Sequence, residues 1–300
     1  MAANNNSDLL REMKRVAVDI DRQFDTLLQI PDDARRDLYK AMRHAAVGGG
    51  KRLRPLLVMA TAGLFNVDES CAIRAATGVE ALHVYSLIHD DLPCMDDDDV
   101  RRGKPTTHIA FGEAAAVLAG DALHALAFEL LADERTHRDP FVRAEMTACL
   151  AKAAGPAGMA GGQMMDLVAE NSTFDLPTVT RLQQLKTGAL IAACVEIGAI
   201  LGRVSKEGRT SLRGYAHDLG LAFQIADDIL DVEGDEEKTG KALHKDARAG
   251  KETFLSLMGL ERARDQAQML VDQAKSHLNG YGSEADMLRA IAEYTITRDR

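Results

Sequence analysis

An all-α fold is predicted by three features of this 300-residue chain. Apolar residues recur at three and four positions over long stretches, no stretch alternates with period two for long enough to make a strand, and aromatic residues are only 4%, which leaves little of the material that sheets favour. The helical stretches follow one another along the chain: LLREMKRVAVDIDRQFDTLL at 9–28, ATGVEALHVYSLIHD at 76–90, GEAAAVLAGDALHALAFELLADE at 112–134, VTRLQQLKTGALIAACVEIGAIL at 179–201 and YAHDLGLAFQIADDILDV at 215–232. Breaks fall at Pro31, Gly48 to Gly50, Pro93, Pro105, Pro140, Pro156, Pro177 and near Gly234. Each leaves a connection and not a linker, so one large helical bundle around a central cavity is expected over residues 1–300, with residues 1–8 as a mobile tail. There is no heptad seam, solenoid-length repeat or low-complexity tract beyond the first few Ala and Asn residues.

Composition excludes several classes. A net charge of −10 leaves no surplus of Lys and Arg to neutralise phosphates in bulk, so no nucleic-acid partner is expected and any phosphate site must be local. Cys71, Cys94, Cys149 and Cys194 are scattered without a CxxC pair, which argues against a zinc knuckle or disulfide framework and for a reduced, cytoplasmic setting. The first fifteen residues lack the apolar core of a signal peptide, and the most lipid-like run, at 187–202, is short and carries Glu196. It is expected to be a buried helix, with no membrane insertion.

The chemistry concentrates in two acidic clusters. In LIHDDLPCMDDDDVRRGKPTTH, residues 87–108, six aspartates fall within ten positions. Neighbouring carboxylates repel by about 1 kcal/mol at 4 Å even in water, so the cluster needs a cation or ligand to persist. Asp90 and Asp91 end a helix, and Leu92-Pro93 then disturbs the backbone. If Leu92 to Met95 loops out, Asp90 and Asp96 converge on one hard cation, for which oxygen-only ligands suit Mg²⁺ or Mn²⁺. Two carboxylates leave most coordination positions open, as when substrate phosphates complete the shell. The second cluster, FQIADDILD, places Gln224, Asp227, Asp228 and Asp231 on one face of a helix at 100° per residue. Its neighbours are apolar, and burying those carboxylates unpaired would cost several kcal/mol each.

Cationic residues stand close by in sequence. GGGKRLRP supplies Lys51, Arg52 and Arg54 after three glycines, and VRRG supplies Arg101 and Arg102 after the acids, so oxyanion donors are expected from both. Neither is a P-loop, because Lys51 is followed by Arg, and TGKA and AGKE lack the earlier glycine.

The ordered set GGGKRLRP, EALHVYSLIHDDLPCMDDDDVRRGKPTTH, GGQMMDL, LKTGALI, FQIADDILDVEGD and TGKALHKDARAGKET resembles the short-chain trans-isoprenyl diphosphate synthases, and within them the bacterial farnesyl branch. The resemblance runs from about residue 35 to the C-terminus. It implies the isoprenoid synthase fold and a homodimer. It also implies three Mg²⁺ ions, held by Asp90, Asp96 and Asp227 with Asp91, Asp228 and Asp231 in support, that grip the diphosphate of an allylic substrate. That diphosphate would also meet Arg101, Lys186 and Lys241, while isopentenyl diphosphate would sit metal-free on Lys51, Arg54, His83 and Arg102. Oxygens at Lys186, Thr187 and Gln224 would face the allylic cation that forms when the C–O bond breaks.

Plainer roles compete for several residues. Asp97 to Asp99 are expected to form a solvated loop, Lys245 and Lys251 to be surface charges, the tail TRDR either to be surface charge or, as the resemblance implies, to fold over the site, His89 to pack or hydrogen-bond, and Met164 and Met165 to lie in the core. Asp166, three after Gln163, is placed near the cavity without a role. Two other functions remain open: a class I terpene cyclase, though its second motif is normally of an Asn/Ser/Glu type, and a non-catalytic helical cation-binding protein, which would need none of the ordered cations. Chain length rests on Tyr85, about 7.5 Å deeper than Asp90 at 1.5 Å per residue, with small Ser86 beside it. Tyr85 as a floor implies a C15 product, farnesyl diphosphate, with the C20 product as runner-up; a ring turned into the core would leave length to other residues.

Overall fold

A computed structural model describes residues 2–233 and 251–298, with side chains from Ser7 onward. Helix α1 (Ala2–Leu27) buries Leu9, Met13, Val16, Ile20 and Phe24, one every three or four residues. That stripe is the periodicity seen in the sequence. Residues 2–8, expected as a tail, continue the helix, since no Gly or Pro interrupts AANNNS. Helices α2 (Arg36–Ala46), α3 (Leu53–Gly63) and α4 (Glu69–Asp90) follow. Asp68 caps α4 by accepting from the Ser70 amide at 2.8 Å. A two-residue hairpin, β1 (Val100–Arg101) on β2 (Lys104–Pro105), is a small departure from the strand-free expectation.

Short α5 (Thr107–Phe111) leads into α6 (Glu113–Ala132), α7 (Pro140–Ala154), α8 (Met159–Ala169) and α9 (Leu176–Gln183). Pro140 and Pro177 sit in the first turns of α7 and α9, behind the caps Asp139 and Asp175. The breaks read from these prolines are therefore helix starts. A single π-turn, Gln184–Gly188, joins α9 to α10 (Ala189–Leu201) without a loop. Helix α11 (Thr210–Glu233) precedes the undescribed segment, after which come α12 (Phe254–Met258), α13 (Leu260–His277) and α14 (Asp286–Thr297).

Helices α4 and α10 form the centre. Their buried residues go all the way round, which is why neither shows a polar stripe. Helix α4 packs on α3 and α6, α10 on α3, α7 and α11, and α11 on α13. Two stretches, Glu113–Ala132 and Leu176–Leu201, are long and apolar enough to cross a membrane by composition, and much of the second is buried against its neighbours.

One buried ion pair fixes the loop that carries the first basic residues, and it removes Arg52 from the oxyanion donors expected there, because its guanidinium is buried on acceptors of the fold. Arg52, 3% exposed, adopts a left-handed φ of 51° at the start of α3. Its guanidinium donates to Glu80 Oε1 at 2.6 Å, to Asp21 Oδ1 at 2.8 Å and to the Ala46 carbonyl at 2.5 Å. These three acceptors hold a conformation that costs on the order of 1 kcal/mol for a non-glycine residue. They also pin Gly48 to Lys51 and the first turn of α3, from which Arg54 projects. Removing one partner leaves a buried charge uncompensated. Urea denaturation should show Glu80→Ala losing about 3–5 kcal/mol, with much of the loss recovered when Arg52→Met is added; equal stability of Glu80→Ala and the parent would contradict this role.

Candidate active site

The C-terminal end of α4, the π-turn, one face of α8 and the second half of α11 surround the acidic clusters. Asp90 is the last residue of α4 and Asp91 caps it. The chain then turns tightly: the Met95 and Asp97 amides both donate to the Leu92 carbonyl, and the Asp96 amide returns to the Asp90 carbonyl at 2.8 Å. Leu92 to Met95 therefore does loop out, and Asp96 comes back beside Asp90 as its spacing required. Asp97 takes a left-handed φ of 51°.

Burial pushes the Asp90 carboxyl up to about 6; Lys186 opposes that rise and the charge of Asp96 adds to it. Asp91 is 3% exposed and accepts from Arg101 at 2.7 Å, and the same guanidinium lies 3.7 Å from Asp98. Arg101 and Asp91 are thus locked together under the first cluster, and part of the Asp97 to Asp99 run is engaged by Arg101.

His83, seven residues before Asp90, lies in the same cavity, where Arg54 Nη1 stands 3.3 Å from its Nε2. Burial, reinforced by Arg54 and Arg102, holds the imidazole well below its usual value, so it is neutral and accepts from Arg54. The cavity is about 400 Å³ and is lined by Tyr85, Ser86, Asp90, Gln163, Lys186 and Thr187 among others. Tyr85 meets the rings of His89 and His124 edge-on at 5.5 and 4.9 Å, and Phe128 backs His124 at 5.0 Å. His89 also meets the Val117 carbonyl at 3.1 Å, so it packs and hydrogen-bonds as expected.

The π-turn presents Lys186 and Thr187. Its backbone is gripped between two glycines. A methyl group at Gly162 of α8 would overlap the Lys186 backbone, and one at Gly220 of α11 would stand 3.1 Å from Gly188 Cα. Lys186 Nζ donates to Asp166 at 2.8 Å, and Lys251 Nζ donates to the same oxygen at 2.9 Å. Although burial alone would raise the Asp166 carboxyl, the two lysines hold it below its ordinary value. Asp166 thereby gains a role, as the anchor of two ammonium groups. Lys251 is not a loose surface charge.

On α11 the neighbouring aspartates divide. Asp228, 3% exposed, accepts from the Phe254 amide at 2.9 Å and from Gln224 Nε2 at 3.0 Å. That orients the Gln224 amide so that its oxygen takes the Thr187 hydroxyl at 3.2 Å. Asp228 therefore positions Gln224 and Thr187 from inside the fold. Asp227 instead accepts from Arg298 at 2.6 Å. Asp231 lies one turn further along, half-buried. Of the two readings of the tail, surface charge or a segment folded over the site, Arg298 fits the second: it is 7% exposed. Met164, expected in the core, is 59% exposed at the cavity mouth. Lys51 and Arg102 flank the Gly48 to Gly50 loop, where a side chain at Gly50 would run into Arg102. Lys241 and Lys245 lie outside the described residues.

Among the described residues, no group of three His, Cys, Asp or Glu side chains forms a metal cage by itself. What the site offers is an all-oxygen donor set at two motifs, with Asp90 raised by burial beside Asp96. That fits a hard divalent cation whose shell is completed by phosphate oxygens. Arg54, Arg101, Arg102 and Lys186 add donors suited to phosphate oxyanions.

A helical fold with paired aspartate clusters, cations suited to phosphate and a partly apolar cavity has the features of an enzyme of diphosphate chemistry on hydrocarbon substrates. Comparison with known proteins agrees. The family described as Polyprenyl synthetase matches residues 35–293, and the chain belongs to that family. It is 47% identical to farnesyl diphosphate synthase of Escherichia coli over 271 residues, 88% of this chain and 90% of that protein. It is 46% identical to geranylgeranyl pyrophosphate synthase 11, chloroplastic, of Arabidopsis thaliana over 273 residues, 87% of this chain and 74% of that protein. A crystal structure of an FPP/GFPP synthase from Zymomonas mobilis, in its apo form, superposes with a TM-score of 0.89 at 59% identity, covering 99% of this chain and 100% of that one.

Asp90 yields a pH prediction for the metal-free protein. Its folded value, about 6, lies above the ordinary 3.8. The folded state thus holds the proton more tightly, and its stability falls as pH rises from about 4 to 6. Asp90→Asn should raise the melting temperature in EDTA by a few degrees at pH 7.5 and leave it unchanged near pH 4. A loss of stability at pH 7.5 would contradict this.

Proposed function

We propose that the chain is a prenyltransferase that joins isopentenyl diphosphate to dimethylallyl and then geranyl diphosphate, giving farnesyl diphosphate. The observation that carries the proposal is the convergence of Asp90 and Asp96 beside Lys186 at a cavity that Tyr85 helps to line. Asp90, Asp96 and Asp227 would hold Mg²⁺ or Mn²⁺, three ions per site, with Asp91, Asp228 and Asp231 in support. When bound, these ions would offset the negative charge that grows on the departing diphosphate.

The remaining work falls to the chain itself. Arg101, Lys186 and Lys241 bind the allylic diphosphate, and Asp166 holds Lys186 in place for that contact. Lys51, Arg54, His83 and Arg102 take the diphosphate of isopentenyl diphosphate. The Thr187 hydroxyl and the Gln224 amide, fixed by Asp228, present oxygen dipoles to the allylic cation, and dipoles fixed before reaction stabilise such a charge without reorganising. The second double bond attacks that cation and a proton leaves. Among the described residues, the buried titratable groups at the cavity have other tasks, Asp90 toward the metal and His83 as acceptor from Arg54, which favours released diphosphate as the proton acceptor. His83, held neutral among arginines, keeps its place as an acceptor from Arg54.

Cytoplasmic location and a homodimer complete the proposal. Val117 and Leu118 on α6 and Phe141 on α7 are 40%, 57% and 83% exposed. Exposed apolar side chains of this kind suit contact with a second copy of the chain. Similarity to both farnesyl and geranylgeranyl synthases leaves the product to the cavity floor, and the aromatic stack of Tyr85, His124 and Phe128 favours a short product.

Purified protein with Mg²⁺, dimethylallyl diphosphate and isopentenyl diphosphate should yield C15 diphosphate as its main product by mass spectrometry, and Tyr85→Ala should shift output to C20 and longer while keeping turnover. A cyclic hydrocarbon product would overturn chain elongation. Unchanged C15 output from folded Tyr85→Ala would overturn the role of Tyr85.

A further inference from the structure

Among the described residues, Arg298 is a cation set directly on the second aspartate cluster. Its Nη2 donates to Asp227 Oδ1 at 2.6 Å and to the Phe223 carbonyl at 3.3 Å, and its guanidinium carbon stands 3.9 Å from the centroid of the Phe223 ring. The side chain is 2% exposed. An exposed terminal arginine would have no reason to be enclosed in this way.

The enclosure is nevertheless incomplete in its bonding. Among the described residues, Nε of Arg298 is buried without a hydrogen-bond partner, and the bond to the Phe223 carbonyl is long. Arg52, a buried arginine that serves the fold, places three short bonds on three separate acceptors. Arg298 has one short bond among the described residues, to a carboxylate. A buried donor left unmet is a cost that an alternative arrangement can relieve. The chain is also placed to give way. Arg298 is the first residue after α14, in extended conformation (φ −71°, ψ 144°), with its amide closing on the Tyr294 carbonyl. Rotation just beyond the helix end withdraws the guanidinium without unwinding α14.

A divalent cation and a guanidinium compete for the same carboxylate. Both seek the Asp227 oxygens, and each repels the other at that distance. We infer that Arg298 is a positioning residue that occupies Asp227 in the empty site and withdraws when metal binds there, so that it sets the affinity of the second cluster for divalent cations. The inference rests on Asp227 as a metal ligand, proposed above. Its consequence is an order of events: a cation arriving alone meets a carboxylate already neutralised, whereas a cation arriving with a diphosphate brings phosphate oxygens that give Arg298 other acceptors.

The test is a titration of the ligand-free, full-length protein with Mn²⁺, the free ion being followed by electron paramagnetic resonance. Arg298→Gln should bind Mn²⁺ roughly tenfold more tightly than the parent, the scale expected when a unit charge is removed at contact distance in a partly screened site. Arg298→Lys, which keeps the charge, should stay near the parent. In Asp227→Asn, Mn²⁺ binding should weaken, and adding Arg298→Gln should restore none of it, as a coupled pair requires. If Asp227→Asn weakens binding while Arg298→Gln leaves it unchanged or weaker, Arg298 does not gate the metal, though Asp227 still binds it. If Asp227→Asn has no effect, the metal assignment fails and the inference with it. Should Arg298→Gln not fold, a chain ending at Thr297 makes the same comparison.

Discussion

Negative charge gathered on two helices, at the C-terminal end of α4 and in the second half of α11, is the constraint on which the rest of this site depends. Asp90 and Asp91 close α4, and Asp227 and Asp231 follow one another on α11. The C-terminus of α4 already carries partial negative charge from its unpaired carbonyls, so the carboxylates there are doubly disfavoured. The fold offsets part of that cost with its own cations, Arg101 on Asp91 and Arg298 on Asp227. Asp90 is left raised in its affinity for a proton. A site built this way gains most from a ligand that is itself strongly positive where it meets the carboxylates, and a metal diphosphate has that character on one side only.

The cations of the site are held by partners that keep their donors directed. Asp166 shares one oxygen between Lys186 and Lys251, which brings two ammonium groups together where they would otherwise repel. The π-turn supplies the position of Lys186: an extra residue inserted in a helix re-aims the side chains around it, and Gly162 and Gly220 let α8 and α11 close on its backbone. Asp228, Gln224 and Thr187 form a hydrogen-bond chain that runs from the Phe254 amide to the cavity. Each such support fixes a rotamer, which is how a site acquires dipoles that need not reorganise when charge appears.

Much of this was legible in the sequence, for identifiable reasons. Helix α1 could be read because its buried residues repeat with the helical period, and the pairing of Asp90 with Asp96 because Leu92-Pro93 prevents the helix from continuing. The π-turn was hidden, since LKTGAL fits a regular helix equally well and the extra residue shows only in the backbone. The division between Asp227 and Asp228 depends on Arg298 and Phe254, residues 71 and 26 positions away. Neither contact has a local signature. Lys251 reads as a surface charge, and the place of Arg298 stays open in the sequence, for the same reason: their partners, Asp166 and Asp227, are close only in the folded chain. Ordered motifs carried the family, while composition and periodicity carried no more than the fold class.

The central claim is that the two aspartate clusters form one metal site only when a diphosphate bridges them. Equilibrium dialysis with Mn²⁺, with and without inorganic diphosphate, measures this directly. The account predicts weak, substoichiometric Mn²⁺ binding by the protein alone. With diphosphate it predicts about three ions per chain bound tightly, the shell of each hard cation being completed by phosphate oxygens. The same Mn²⁺ stoichiometry and affinity whether or not diphosphate is present would contradict it.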